Sequence, residues 1–247
     1  MATDLDLNYG AAVADALARG VETRFDALEN ILKGSVATIN ITSKLLYAMA
    51  AGQNYVSYYK ALKTDLRRIA ERQYHAQRSK VDAAIHPGYE EEILNAALSP
   101  DGRGLTNYGP ITLQLLEVSI SDRSSVMREN AFDFFERNDL GARDAEEELG
   151  WRSVWGSRYK LGVAQLAPSL TMAMAFDDIS NCILSCGVTR GDDRYIEIHI
   201  YGELSWQALS RVVLERSLTD SKEQDDWDFG RQKLSHRGVT IVDRVNP

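Results

Sequence analysis

The sequence predicts an α+β fold: a helical bundle over residues 1–88 followed, over 89–247, by an α+β domain built on a sheet. Three observations carry this reading. Apolar residues recur at three- and four-residue steps up to about residue 85. The plainest alternating segments, Ile111–Ile120, Tyr195–Gly202 and Gly238–Val245, all fall in the later part. Between the two parts, His86-Pro87-Gly88-Tyr89 interrupts any helix, because the residue before proline avoids helical dihedrals and glycine ends the element.

Taken in order, Val13, Leu17, Val21, Phe25, Leu28 and Leu32 form one stripe from Ala11 to Lys33, and Gly34 stands where a C-terminal cap belongs. One long amphipathic helix is expected there. Val36 to Ala51 is apolar around more of its circumference and ends at Gly52, as the buried centre of a bundle would; it is too short to cross a bilayer and carries Lys44. Tyr55 to Ala84 reads as a third helix with Tyr55, Tyr59, Leu62, Leu66, Ile69 and Gln73 along one stripe. Its basic stretch from Lys60 to Lys80 is interspersed with Asp65 and Glu71, and reads as a solvated face that could touch anionic partners. Beyond the break, a short helix over Glu90–Leu98 leads into a turn-rich loop over 99–110. The stretch from Asp139 to Ala167 reads as largely helical, with Trp151, Trp155 and Tyr159 at four-residue spacing, and Ile179 to Val188 as a further strand.

Composition excludes several classes. Of the 247 residues, 44% are hydrophobic and 26% charged, and no apolar run approaches the roughly 18 to 20 residues that span a bilayer. A net charge of −8 repels a phosphate backbone at long range, which argues against general nucleic-acid binding while leaving room for a local basic pocket. The N-terminal Met-Ala-Thr-Asp-Leu-Asp lacks the basic and apolar regions of a secretory signal, so the cytoplasm is expected, with any export by a signal-peptide-independent route. Cys182 and Cys186 have no second pair to complete a zinc site and are expected as buried thiols.

The segment Tyr195-Ile196-Glu197-Ile198-His199-Ile200-Tyr201-Gly202 carries the chemistry. Strict alternation puts three isoleucines on one strand face and Tyr, Glu, His and Tyr on the other. That second face lines up a carboxylate, an imidazole and two phenols, all able to hydrogen-bond a ligand. A solvated strand face is the plain alternative. Glu197 and His199 could also serve a hydrolase as an acid and base pair, although the chain has no Gly-x-Ser-x-Gly elbow and no His-Glu-x-x-His motif.

Three segments together resemble the divergent ADP-ribosyltransferase domains of bacterial toxins and effectors: Gly104-Leu-Thr-Asn-Tyr-Gly-Pro-Ile-Thr-Leu113, Asp122-Arg-Ser-Ser-Val126 with Glu129-Asn130, and the strand just described. The likeness covers roughly residues 99–215. It implies a split-sheet domain that binds NAD as substrate in a cleft and transfers ADP-ribose to a protein or other macromolecule, with the N-terminal helices serving delivery, control or docking of a partner protein. Glu197 matches the late-strand catalytic carboxylate, and His199 stands beside it. Arg123, Ser124 and Ser125 match the segment that suits the anionic pyrophosphate, since guanidinium offers a rigid fork of donors. Tyr108 or Tyr201 could stack on the nicotinamide ring. Many such transferases carry Glu or Gln two residues before the catalytic Glu; Tyr195 stands there in this chain, which leaves the acceptor open and admits an inactive, transferase-like binding module.

Overall fold

A computed structural model describes residues 4–67, 72–137 and 151–245, with side chains from residue 75 onward in the second stretch. The chain begins with α1 (Asp4–Arg19) and α2 (Glu22–Gly34), then β1 (Val36–Ile41), α3 (Ser43–Ala50), α4 (Tyr58–Lys63) and α5 (Arg72–Ile85). It continues with β2 (Ile93–Ser99), β3 (Ile111–Leu115), β4 (Ser124–Met127), α6 (Ala131–Arg137), β5 (Arg152–Val154), α7 (Arg158–Leu166) and α8 (Phe176–Ile183). A small pair, β6 (Leu184–Ser185) and β7 (Arg194–Tyr195), precedes β8 (Glu197–Tyr201), β9 (Leu209–Leu214), α9 (Ser221–His236) and β10 (Thr240–Asp243).

Eight strands form one mixed sheet in the order β10-β9-β3-β1-β2-β8-β4-β5, antiparallel throughout except for the β9–β10 pair. The fold is thus mixed α/β with helices concentrated toward the N-terminus and a large sheet. The N-terminal segment does not stand apart as a helical bundle, however. β1 lies between β3 and β2, and one hydrophobic core joins Leu28 and Leu32 of α2 to Leu113 of β3 and Ile198 of β8 across the expected boundary at residue 88.

The local corrections share a cause, which is that side-chain shape and tertiary pairing override periodicity. Val36–Ile41 is rich in β-branched residues, whose stiff side chains suit a pleated surface, and only the straight-chain run after Thr42 continues as helix. The expected Ala11–Lys33 helix breaks where Gly20 takes φ +67°, and the N–H groups of Gly20 and Val21 turn back to the carbonyls of Leu17 and Ala16. Glu90–Leu98, composed largely of good helix formers, is instead mostly the buried strand β2, whose partners on both sides are already fixed. The Tyr55–Ala84 helix is divided into α4 and α5, and its Ile69 lies outside the described residues. Most of Ile179–Val188 is not a strand: Ile179 and Ile183, four apart, are the buried contacts of α8. Trp151, Trp155 and Tyr159 do not share a helix, because β5 intervenes and α7 starts only at Arg158; the expected helix through residue 150 lies outside the described residues.

Both faces of the central sheet are covered. Ile196, Ile198 and Ile200 point into the main core with α2 and α7, where Gly162 lets α7 approach so closely that a Cβ there would meet Leu32 Cδ2 at 2.6 Å and Ile196 Cδ1 at 3.1 Å. On the other face Met127 packs with Val81 and Ile85 of α5 and Ala131 and Phe134 of α6. Register places Glu197 opposite Ala97 and Met127, and His199 opposite Asn95 and Ser125, so these residues share the α5/α6 face. No described helix is long and apolar enough to cross a membrane.

Candidate functional site

A cavity of about 190 Å³ opens on the α5/α6 face of the sheet. Its floor combines Thr38 and Asn40 of β1, Asn95 and Ala97 of β2, and Glu197 of β8, side chains that register brings to one face. Its walls include Tyr58, Arg67 and Arg78 from the α4–α5 region, Phe132 of α6, Tyr108 from the turn before β3, and Arg190 and Tyr195 from the β6–β7 hairpin.

Glu197 is only 3% exposed, yet its carboxylate is well served. Oε1 accepts from Asn95 Nδ2 at 2.6 Å, and Oε2 accepts from the backbone N–H of Ala131 at 2.6 Å. Burial pushes its acidity constant up, but the adjacent His199 and the donors Asn95 and Ala131 outweigh this and hold the carboxyl below the ordinary glutamate range. His199 Nε2 stands 3.8 Å from Oε1. Behind the carboxylate, Arg78 Nη2 donates to Asn95 Oδ1 at 3.0 Å and Arg78 Nε to Asp82 Oδ2 at 3.1 Å, while Tyr59 Oη donates to the same Asp82 oxygen at 2.9 Å. A chain of polar contacts therefore runs from α4 through α5 to the sheet.

The cations of the cavity are distinctive. Arg78 is neutralised by Asp82, whereas Arg67 and Arg190 form no ion pair with any carboxylate among the described residues. Arg67 lies over the Tyr58 ring at 5.3 Å, and Arg190 over the Tyr108 ring at 4.9 Å while donating to Asn107 O at 2.9 Å. Guanidinium stacked on an aromatic face keeps its in-plane donors available, so the walls suit an anionic ligand that carries a planar ring.

No protein-family model matches the chain, and no curated protein does.

Of the residues singled out in the sequence, Glu197 and Tyr108 line this cavity together. His199 is adjacent to Glu197 but turned to the α5 side, 2% exposed, edge-on to His86 with 4.3 Å between ring centroids. Arg123 lies off the cavity: Nε donates to Ser119 O at 2.9 Å, and Nη1 donates to Tyr201 O at 2.6 Å and Glu203 O at 3.0 Å. Its fork of donors holds the end of β8 and the turn at Gly202, which leaves it unsuited to the pyrophosphate role. Ser124 and Ser125 point to opposite faces, being opposite Ile200 and His199 respectively, so they cannot act as a pair. Tyr201 is half exposed beside Tyr89, at a ring distance of 6.0 Å, outside the cavity. Cys182 is half-buried and Cys186 exposed, unlike the buried thiols expected, and the described residues contain no cluster of three or more His, Cys, Asp or Glu suited to a metal.

Arg67, Arg78 and Asn95 contribute to the site without being singled out by the sequence, as does Arg190 of the β6–β7 hairpin. Arg67 and Arg78 belong to the basic run from Lys60 to Lys80, which was legible as a cationic stretch but not as the wall of a cavity. Asn95 falls in the helix expected over Glu90–Leu98, where its pairing with the Glu197 strand has no counterpart.

Proposed function

We propose that the chain is an NAD-dependent ADP-ribosyltransferase acting on a macromolecular acceptor, with NAD bound in the arginine-lined cavity and Glu197 beside its ribose. The observation that supports this best is the meeting, in one cavity, of an ionised carboxylate and two guanidiniums that no carboxylate among the described residues neutralises. In the reaction the bond from ribose C1′ to the nicotinamide nitrogen breaks, nicotinamide leaves with the electron pair, and an acceptor nucleophile bonds to C1′ and gives up its proton. Positive charge builds on the ribose in the transition state, so a fixed carboxylate stabilises that state more than the ground state. Each Glu197 oxygen keeps a lone pair beyond the one it already uses, enough to accept from a ribose hydroxyl. The pyrophosphate meets Arg67 and Arg190 in place of Arg123, and the ring of Tyr108 or Tyr58 offers a stacking face.

A binding module without turnover is the second reading. It is favoured by the buried hydrogen bonds that both Glu197 oxygens already make, an arrangement that serves architecture as well as catalysis. Calorimetry with NAD, followed by incubation with lysate and NAD labelled in its adenylate, separates the readings. Label transferred to an acceptor with release of nicotinamide, both lost in Glu197→Gln, supports the transferase. NAD that binds but is never consumed supports the module, and absence of NAD binding removes the transferase and leaves a module that binds a partner protein.

A further inference from the structure

We infer that Arg78 is a positioning residue which, acting through Asn95, fixes Glu197 as an ionised, acceptor-only group and thereby selects ligands that present a hydrogen-bond donor or a cationic centre to it. The argument is one of donor and acceptor inventory. Arginine has donors only, so the Asn95 amide atom facing Arg78 Nη2 must be Oδ1. That leaves Nδ2 to face Glu197 Oε1, where it can only donate. The other Glu197 oxygen meets a backbone N–H, at Ala131, which also can only donate. A protonated Glu197 would need an acceptor for its O–H, and neither of these neighbours supplies one. Flipping Asn95 to provide an acceptor would turn its NH₂ toward Arg78, donor against donor, at a partly buried position.

The surrounding charges work with this arrangement. Arg78 is itself held by Asp82, which accepts from Tyr59, so its guanidinium has little freedom to release Asn95. The titratable and charged groups facing Glu197 are Arg78 and Asp82 on α5, Asp133 on α6 and His199 on its own strand. Asp133 opposes the ionised state and is separately paired with Arg194 at 3.5 Å. A ligand entering the cavity therefore finds an acceptor on the floor and, on the walls, guanidiniums with no carboxylate partner among the described residues, which fits a molecule that joins a hydroxyl-bearing or cationic part to an anionic part. A neutral carbonyl or a carboxylate placed over Glu197 is rejected.

The charge state of Glu197 can be read in the unliganded protein and so does not depend on the transferase proposal, on which only the ligand consequence rests. The Glu197 side-chain carboxyl is followed by carbon NMR across pH in the ¹³C-glutamate-labelled protein, with the resonance assigned by its absence in Glu197→Gln. The wild type is expected to titrate below the ordinary glutamate range. Arg78→Met should move the midpoint up by roughly one pH unit or more, and Arg78→Lys, which can still donate to Asn95, should restore most of it. Asn95→Leu provides a second route to the same upward shift should Arg78→Met fold poorly. A wild-type midpoint at or above the ordinary range overturns the inference, and so does an unchanged midpoint in a folded Arg78→Met or Asn95→Leu protein. Failure of NAD binding with the low midpoint intact would instead count against the NAD reading alone.

Discussion

Glu197 Oε2 and the backbone N–H of Ala131 lie 2.6 Å apart, which joins the sheet to the first residue of α6 through a buried charge-assisted hydrogen bond. Replacing Glu197 by Gln therefore changes more than charge. The new amide presents an acceptor to only one of two donors, and the other contact, to Ala131 or to Asn95, becomes donor against donor. A stability loss of roughly 1–3 kcal/mol follows, the cost of one buried group left unsatisfied. Urea unfolding of the two proteins checks this, and any loss of turnover in the variant is to be compared at a temperature where it remains folded. An unchanged midpoint would mean that the carboxylate is not held as described.

His86 and His199 stand edge to face in a buried site, and neither His199 nitrogen nor His86 Nε2 has a hydrogen-bond partner among the described residues. Burial, then His199 and the Arg152 guanidinium, push the His86 acidity constant down from the ordinary 6.5 to about 2. The native protein thus keeps His86 neutral, whereas the unfolded chain takes up a proton near pH 6.5. Stability from this group is fully present above about pH 6.5 and is lost as pH falls toward 2, by up to about 1.4 kcal/mol per pH unit. Glu197 acts in the same direction but in a lower window, since its depressed constant matters only below the ordinary glutamate range. Denaturation at pH 7 and pH 5 isolates the histidine, and His86→Phe should flatten the dependence between them. A steep loss that survives in His86→Phe would assign the effect elsewhere.

Arg123 is expected to behave as a structural residue. Arg123→Ala removes donors to three backbone carbonyls at the end of β8 and at the turn before β4, and should lower stability by roughly 1–3 kcal/mol. Ligand affinity should stay within about twofold of wild type once the protein is folded, because no Arg123 atom lines the cavity. Thermal unfolding and calorimetry on one preparation test both halves. A stable variant with weakened NAD binding would return Arg123 to the site.

Strand β8 shows how far the sequence could be read. Strict alternation is visible without a structure, and it correctly separates Ile196, Ile198 and Ile200 from Glu197 and His199. What alternation cannot reveal is that both faces are covered, because the covering helices α5 and α6 come from distant parts of the chain. Alternation gives Glu197 and His199 one shared polar face, yet that face is open at Glu197 and closed at His199. Strands β1 and β2 differ from the helices their sequences predict for a related reason. Each is a short apolar run that periodicity cannot distinguish from a buried helix, and only pairing with neighbours decides between them. With β2 assigned to a helix, Asn95 could not be placed beside Glu197, and the cavity floor could not be assembled. Arg123 lies away from the cavity, and an Arg-Ser-Ser pattern says nothing of whether backbone carbonyls take its donors, as those of Ser119, Tyr201 and Glu203 do.

The wall cations provide the most direct test of ligand class. Arg67 and Arg190 come from different segments, stack on different tyrosines, and have no carboxylate partner among the described residues. If they hold phosphate, each glutamine substitution, which keeps bulk and a donor but removes charge, should weaken NAD binding by roughly tenfold, or about 1.4 kcal/mol. The affinity of the wild type should also fall as salt rises, because Arg67 is only partly buried and Arg190 is exposed, so that both are screened over a Debye length of roughly 8 Å at 0.15 M. Arg67→Gln and Arg190→Gln should each show a shallower salt dependence, with the double variant shallower still. Calorimetric titration with NAD at two ionic strengths reads all of these quantities. ADP-ribose, which keeps the pyrophosphate but lacks the nicotinamide, should lose affinity in the same variants by similar factors. Equal affinity of wild type and both variants for NAD and ADP-ribose would show that the phosphates do not meet these arginines, and the cavity would then have to bind its ligand through the floor and the tyrosines alone.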